Sequence, residues 1–577
     1  MRHDGGQVDV RMGDGGALWL PGVLSPAEVP MHKLQASARW ERHPSPDGTD
    51  WRVPQWSLKM ANADLSGEWR GQWQSLPQGP GALTLDGTID QAHAAAAHRY
   101  LPLTLPASVR DYLRDALVQG TYSGVAVKIK GDLAKLPFAN PKDGEFRFSG
   151  RIKDVVLDTV PKALLPTGGA PWPRLSNLQG QLIFDRLGMR LSNASARAGE
   201  GTNAVLLTAA SAEIADMTQQ PLLQVKAESQ SKAPQVLGMV QQSAINSLLS
   251  GALGEAQMLG DLQTRFELRL PLLDMKQSKV QGSVVFKNAD LRLQPGTPRL
   301  EKVQGSLQFH EAGFELRQVQ AQLWGGPVAV EGGMRPTSPS SPARIEFQAR
   351  GRVSAEGLRT AKEFYPLDWL AQHAQGTAPY QARLSWRNGQ PDLAVQSTLE
   401  GMAVTLPAPL GKTASSSRNL NIQLRSSMEK SGPQDHIQVN LADNMRVEYV
   451  RNLSGKTPEV LRGIWGIGIA GPQMPALPQS GVTAQVVMDR LDVDEWLALF
   501  PDTAPGSSKP TTPPQATPGA APAWQTYLPN RMGLKTNSLT VNDRSLHQVT
   551  VGGTRDGALW RVNIDAKEMA GYLSLIH

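Results

Sequence analysis

The sequence has no cysteine in 577 residues, which excludes disulfides, thiolate metal sites and a cysteine nucleophile. No run of about 18 strongly apolar residues occurs, and the opening MRHDGGQVDV has no apolar stretch of the signal-peptide kind, so neither a membrane span nor a cleavable leader is legible. Charge is sparse. Asp, Glu, Lys and Arg make up 19% of the chain, below the roughly 25% of ordinary soluble domains, so Ser, Thr, Gln and Asn must supply much of the polar surface. The net charge is +6 with the basic residues scattered, and no nucleic-acid partner is expected without a basic block or stripe.

Catalytic signatures are missing as well. Gly466, Gly468 and Gly471 spell GxGxxG, but Pro472 and Pro475 stand where a phosphate-binding helix would open. A glycine-bearing strand is expected there. Gly411, Lys412 and Thr413 resemble the end of a phosphate loop whose first glycine is replaced by Leu406. His93 and His98 are spaced for different helix faces, and no HExxH or comparable ligand set exists among the ten histidines, so no metal or cofactor is expected. The acidic LDVDEW at 491–496 lacks the glycine and third ligand of a calcium loop. It reads as a short helix capped by Asp494.

What the chain does have is period-2 alternation, which sends every second side chain to one face of a strand. Leu262, Thr264, Phe266, Leu268 and Leu270 alternate with Gln263, Arg265, Glu267 and Arg269. Similar stretches run through 145–152, 280–286, 303–309 and 314–316, each bounded by turn residues. Within them a unit recurs: apolar, any, Gly, any, apolar, any, Phe. Its copies are Leu178, Gly180, Leu182, Phe184; Val280, Gly282, Val284, Phe286; and Val303, Gly305, Leu307, Phe309. A shorter version is Phe148, Gly150, Ile152. The glycine shares the apolar face, where it marks a bend, a bulge or a close approach to the backbone. Two accounts stand: an ordinary sandwich core with bulges, or a concave apolar face curved by its glycines with room left along it.

Helices are few. Val109, Tyr112, Leu113, Ala116 and Leu117 form a stripe in a helix expected over 109–120, and the uncharged segment 233–254 carries a second stripe. It suits a helix flanking the apolar face or touching a membrane surface. MRPTSPSSPAR at 334–344 and the proline-rich 502–523 read as loop and linker. They divide the chain into 1–333, 345–501 and 524–577. Gln7 to Met12 already alternates like a strand interior and the final GYLSLIH has no tail, so the chain reads as part of a longer one.

The expected fold is therefore mainly β: an elongated, curved antiparallel sheet folded into an apolar groove, with a few short amphipathic helices. A sheet with so few helices to cover its apolar side favours an apolar ligand. On the order of thirty strands at about 4.8 Å would make a track of roughly 140 Å. The expected lining is Phe146, Phe148, Ile152, Leu182, Phe184, Phe266, Leu268, Leu270, Val284, Phe286, Leu307 and Phe309, with Gly150, Gly180, Gly282 and Gly305 among them.

Several stretches resemble a known family. Tyr100, Leu101 and Pro102 before VRDYLRDALVQG, then Gly131, Asp132, Leu133 and Phe138, resemble the central region of the YhdP proteins, a branch of the AsmA-like superfamily of Gram-negative envelope proteins. Trp172 and Pro173, the Leu270, Pro271, Leu272 step, LWGGP at 323–327 and LDVDEW at 491–496 continue the similarity. The resemblance implies a periplasmic β-groove, anchored in the inner membrane by an N-terminal helix that this chain lacks. It further implies non-enzymatic transport of phospholipid toward the outer membrane. The partners it implies are phospholipid and, through other regions, the inner and outer membranes; protein partners stay unassigned. Two other expectations remain open, an envelope scaffold that binds proteins by strand addition and a periplasmic enzyme.

Overall fold

The computed structural model describes residues 4–45, 48–165, 167–248, 253–294, 297–335, 344–361, 367–387, 390–455, 457–499, 526–557 and 559–576. The linker expected at 502–523 and most of the loop at 334–344 lie outside them. The chain is mainly β. Twenty-nine strands join one mixed sheet that does not close on itself, while Gly16–Trp19 and Glu28–Met31 form a separate hairpin. Among the described residues, no helix is long and apolar enough to cross a membrane. Two compact units divide the chain, one of residues 1–299 with 303–311 and the other of 300–302 with 312–577.

In the first unit, strands from Lys33–Ser45 to Lys279–Arg292 pair in chain order, all antiparallel, with Asp4–Met12 added beside Lys33–Ser45. The second unit continues this pattern from Gly313–Leu323 to Met445–Asn452, with Met402–Val404 as a short side pairing. The expectation of a wholly antiparallel sheet then needs correction. Glu459–Ile467, Gly481–Asp492 and Arg531–Val541 pair in parallel, which a tight hairpin cannot achieve and a longer crossover must. The strand ends Met334–Arg335 and Ile345–Arg344 are direct partners, so the 334–344 segment joins two neighbouring strands of one sheet.

Strand bending has a different source from the one the sequence suggests. In the first unit Asp154, Asn177, Asn193 and Asn288 have φ of 53°, 50°, 48° and 51°, and the register shifts at all four. These are β-bulges, each inserting a residue that bends its strand. Asn and Asp tolerate the left-handed region that most side chains avoid. Gly150, Gly180 and Gly282 have no positive φ. Of the four glycines singled out, only Gly305, at 115°, lies in that region.

The helices are shorter than their stripes. The first spans Ala107–Ala116, and Leu117 already opens the strand Leu117–Asp132. The 233–254 stripe splits into Ala233–Gln241 and Ala244–Leu248. Asp492, not Asp494, caps Val493–Leu497, accepting from the backbone N–H groups of Asp494 and Glu495. The Asp494 carboxylate instead accepts from the N–H groups of Asn542 and Asp543 at 2.8 and 2.9 Å, tying the helix to a hairpin turn.

Candidate functional site

Cross-strand register converts the alternation into a surface, because directly paired residues point to the same side of a sheet. In the first unit one continuous row reads Val10, Ala36, Leu58, Trp69, Gly87, Val127, Phe148, Phe184, Met189, Ile214, Leu223, Leu270. Every member is apolar or glycine. At about 4.8 Å per strand the row is roughly 50 Å long. On the opposite side the row Asp9, Ser37, Ser57, Arg70, Asp86, Lys128, Arg147, Asp185 is wholly polar. Hydrogen bonds such as Arg147 Nη1 to Asp185 Oδ2 at 2.8 Å lie along it.

Register places the expected lining on this apolar face. Phe148 faces Phe184, Leu182 faces Gly150, Ile152 faces Gly180, and Phe146 faces Ile129. Leu268 faces Val280, Phe266 faces Gly282, and Phe286 and Val284 face Leu262 and Thr264. Leu307 and Phe309 share one side of Leu300–His310, and the Phe309 ring lies against Gly282. All twelve lining residues are half-buried, neither sealed nor fully exposed.

The face is covered in two places, and Val29 and Met31 of the separate hairpin pack over its Leu34, Ala36 and Leu58 end. Beyond the bulges Val155, Leu178, Ala194, Ala196, Val205, Leu207 and Ala227 form a buried cluster, with Val236 and Met239 of the helix Ala233–Gln241 packed on it. The helix flanks the apolar face, as its stripe suggested. Beneath it the face is interrupted by the buried Ser229 and Ser231, and by Thr264, whose hydroxyl is buried without a partner.

The room expected above the glycines is largely taken. A Cβ on Gly150 would meet Val125 and the Tyr122 ring at 2.8 and 2.9 Å, and one on Gly282 would meet the Arg265 carbonyl and the Phe309 ring at 2.5 Å. At Gly180 the neighbour is Ala194. The Tyr122 ring passes Gly150 to donate its hydroxyl to the Leu182 carbonyl at 2.9 Å, and burial pushes its phenol up to about 12. Gly150 and Gly282 seat rings belonging to other strands.

The second unit repeats the design where no lining was expected. Its row reads Val319, Val330, Ala349, Ala382, Val395, Ile422, Val439, Val447, Trp465, Ala484, Met532, Gly553, Val562, Leu573. Arg350, Gln381, Gln396, Asn421, Asn440 and Arg446 form a polar row on the reverse. The alternation in LNIQLRSSME and HIQVNL was the available signal, and it lacks the glycine unit. One polar island stands on this apolar face. Asp435 faces Arg451 in a two-pronged ion pair, Arg451 Nη1 donates to the Tyr527 hydroxyl at 3.0 Å, and Tyr449 donates to the Tyr527 carbonyl at 2.9 Å. Burial works against the Arg451 charge, but its hydrogen bonds to Asp435 and Tyr527 raise it above the ordinary arginine value.

The catalytic look-alikes have structural employment. Lys412 donates to the carbonyls of Leu399, Met402 and Thr413, and burial with the nearby Arg418 lowers its pKa. Gly466 lies in the strand Glu459–Ile467, Gly468 follows it at φ 72°, and Gly471 opens a single helical turn.

No curated protein and no solved structure matches the chain. The family model described as YhdP protein matches residues 1–577, the whole chain, in agreement with the motifs at 100–138 and 491–496. Matched along its whole length, this two-faced sheet thus belongs to the YhdP protein family.

Proposed function

We propose that this chain carries phospholipid along its apolar face, as a non-enzymatic segment of a transport path through the Gram-negative periplasm. The observation behind the reading is the unbroken apolar row across twelve strands of the first unit, half-buried at the lining positions and covered by the separate hairpin only toward its Ala36 and Leu58 end in the described residues. Acyl chains gain about 0.8 kcal/mol for each CH₂ taken out of water. A phospholipid leaves a bilayer at tolerable cost only if such contact is regained step by step. A lining of Phe, Leu, Val and Gly offers similar contact at each strand, so a chain can slide without a deep trap. The headgroup stays on the wet side of the open rim.

The test is lipid content. Protein purified from an envelope fraction without detergent is analysed by native mass spectrometry and by phosphate assay of its solvent extract. Copurifying diacyl phospholipid is the expected result. Protein that stays folded and empty, and does not load from phospholipid vesicles, would refute the proposal.

A further inference from the structure

Three tryptophans in the first unit stand directly opposite glycines on the apolar face. Trp40 pairs with Gly6, Trp56 with Gly71, and Trp69 with Gly87. In each pair the indole lies where the glycine's side chain would be. A Cβ on Gly87 would meet the Trp69 ring at 2.2 and 2.8 Å, and one on Gly6 would meet the Trp40 ring at 2.3, 2.8 and 2.9 Å. At Gly71 the Trp56 ring is 2.9 Å away and the Thr84 carbonyl 2.0 Å. The second unit repeats the arrangement at Tyr449 and Gly463, where ring atoms come within 2.5 and 2.8 Å. An aromatic ring is among the largest side chains, and one standing upright would fill an apolar trough. Laid over a glycine, it presents its flat face and adds little height.

We infer that these glycines set the clearance of the track: Gly87 and Gly6 are positioning residues that hold Trp69 and Trp40 flat so that a diacyl phospholipid fits above them. The inference rests on the phospholipid reading and adds a specific steric limit to it. Adding one methyl at Gly87 leaves charge unchanged, but it must lift the indole, whose atoms stand closer to it than the Glu68 carbonyl at 2.9 Å. The methyl acts through Trp69, so removing that ring reverses its effect.

The experiment uses the full chain with a photo-crosslinking phenylalanine derivative at either Leu58 or Phe184, members of one register row. Leu58 is the partner of Trp69 and packs at the edge of the hairpin cluster, and Phe184 lies five strands from Leu58 along that row. Protein is exposed to phosphatidylethanolamine vesicles and capture is read by mass spectrometry. Gly87→Ala is expected to lower capture at Leu58 by about tenfold, a modest free-energy change, while capture at Phe184 holds. Gly87→Ala with Trp69→Ala restores capture at Leu58. If Gly87→Ala does not fold, Gly6→Ala with the probe at Ala38 replaces it, since the three atoms nearest a Cβ there all belong to the Trp40 ring. Capture at Leu58 that ignores Gly87→Ala, or is not restored by the double change, overturns the clearance inference alone. No capture at either position in the parent protein overturns the phospholipid reading and this inference with it.

Discussion

Leu178 and Leu182 lie on the same strand, Leu175–Asp185, and on opposite sides of the line where the helical roof begins. Leu178 is 7% exposed and belongs to the buried cluster, whereas Leu182 is half-buried over Gly150. Aspartate is too short to reach around a strand to water. At Leu178 it would be an unpaired carboxylate in an apolar cluster and should cost about 4 kcal/mol or more, enough to unfold a marginal unit. At Leu182 the carboxylate keeps its water, and the loss is a leucine's partial burial, on the order of 1 kcal/mol. The same charge would deny contact to a passing acyl chain over ~3 methylene groups, roughly 2 kcal/mol, and reduce lipid occupancy there by more than tenfold. Leu182→Asp should therefore unfold near the parent in urea yet carry little lipid at a crosslinker placed at Phe184, while Leu178→Asp should be destabilised outright. Equal destabilisation by both would mean the face at Leu182 is sealed core, and the open-trough reasoning would fail.

Other outcomes follow from named contacts. Arg451→Met leaves Asp435, whose side chain is 4% exposed, charged and unpaired, and should cost about 3–5 kcal/mol, most of it regained in Asp435→Leu with Arg451→Met; urea midpoints of the three proteins read this directly. Tyr122→Phe removes the bond to the Leu182 carbonyl and should cost about 1 kcal/mol. Because burial raises the Tyr122 phenol to about 12, its contribution is full below about pH 10, where an unfolded tyrosine titrates, and is lost as pH climbs through 12. Alkaline denaturation of Tyr122→Phe should accordingly be less steep than that of the parent over this window. Asp492→Ala should cost about 1 kcal/mol by uncapping Val493–Leu497, while Asp494→Ala should chiefly loosen the Asn542–Asp543 turn, a difference visible in local amide exchange.

The β class and the apolar side of each strand in the first unit were legible because alternation is a local property. Leu262 to Leu270 states its own two faces, and its neighbours pair with it antiparallel and in register. Parallel pairing at Gly481–Asp492 was not legible, since the direction in which a strand joins a sheet depends on the crossover, not on its own residues. The bulges were misplaced for a related reason. Glycine permits positive φ but does not demand it, and Asn177 and Asn193 took the bulges while Gly150 and Gly180 received the packing. Which ring lies over which glycine is a cross-strand fact: Trp69 and Gly87 are eighteen positions apart, and only register brings them together. The second unit's lining escaped because strands such as Leu420–Glu429 and Gly432–Leu441 pair Leu, Ile and Val with each other, without the recurring glycine unit that drew attention to the first.

Two faces of such opposite character make stability and cargo interdependent. A half-wet apolar row is a cost to the folded chain, since soluble monomers seldom expose contiguous apolar patches beyond a few hundred Å², and a bound acyl chain relieves that cost only in the folded state. Ligand that binds the folded form alone stabilises it by RT ln(1 + [L]/Kd), about 2.7 kcal/mol at a hundredfold excess over Kd. Delipidated protein should then melt lower than the same protein reloaded from phospholipid vesicles, and should expose the row to apolar dyes and self-association. The increment should shrink in Leu182→Asp, which weakens binding, and persist in Asp492→Ala, which uncaps the second unit's helix Val493–Leu497 and changes no residue of the row. Lipid-free and reloaded protein melting together, at matched concentration and with lipid verified in the loaded sample, would show that the row is satisfied by the chain itself and would remove the thermodynamic basis for transport along it.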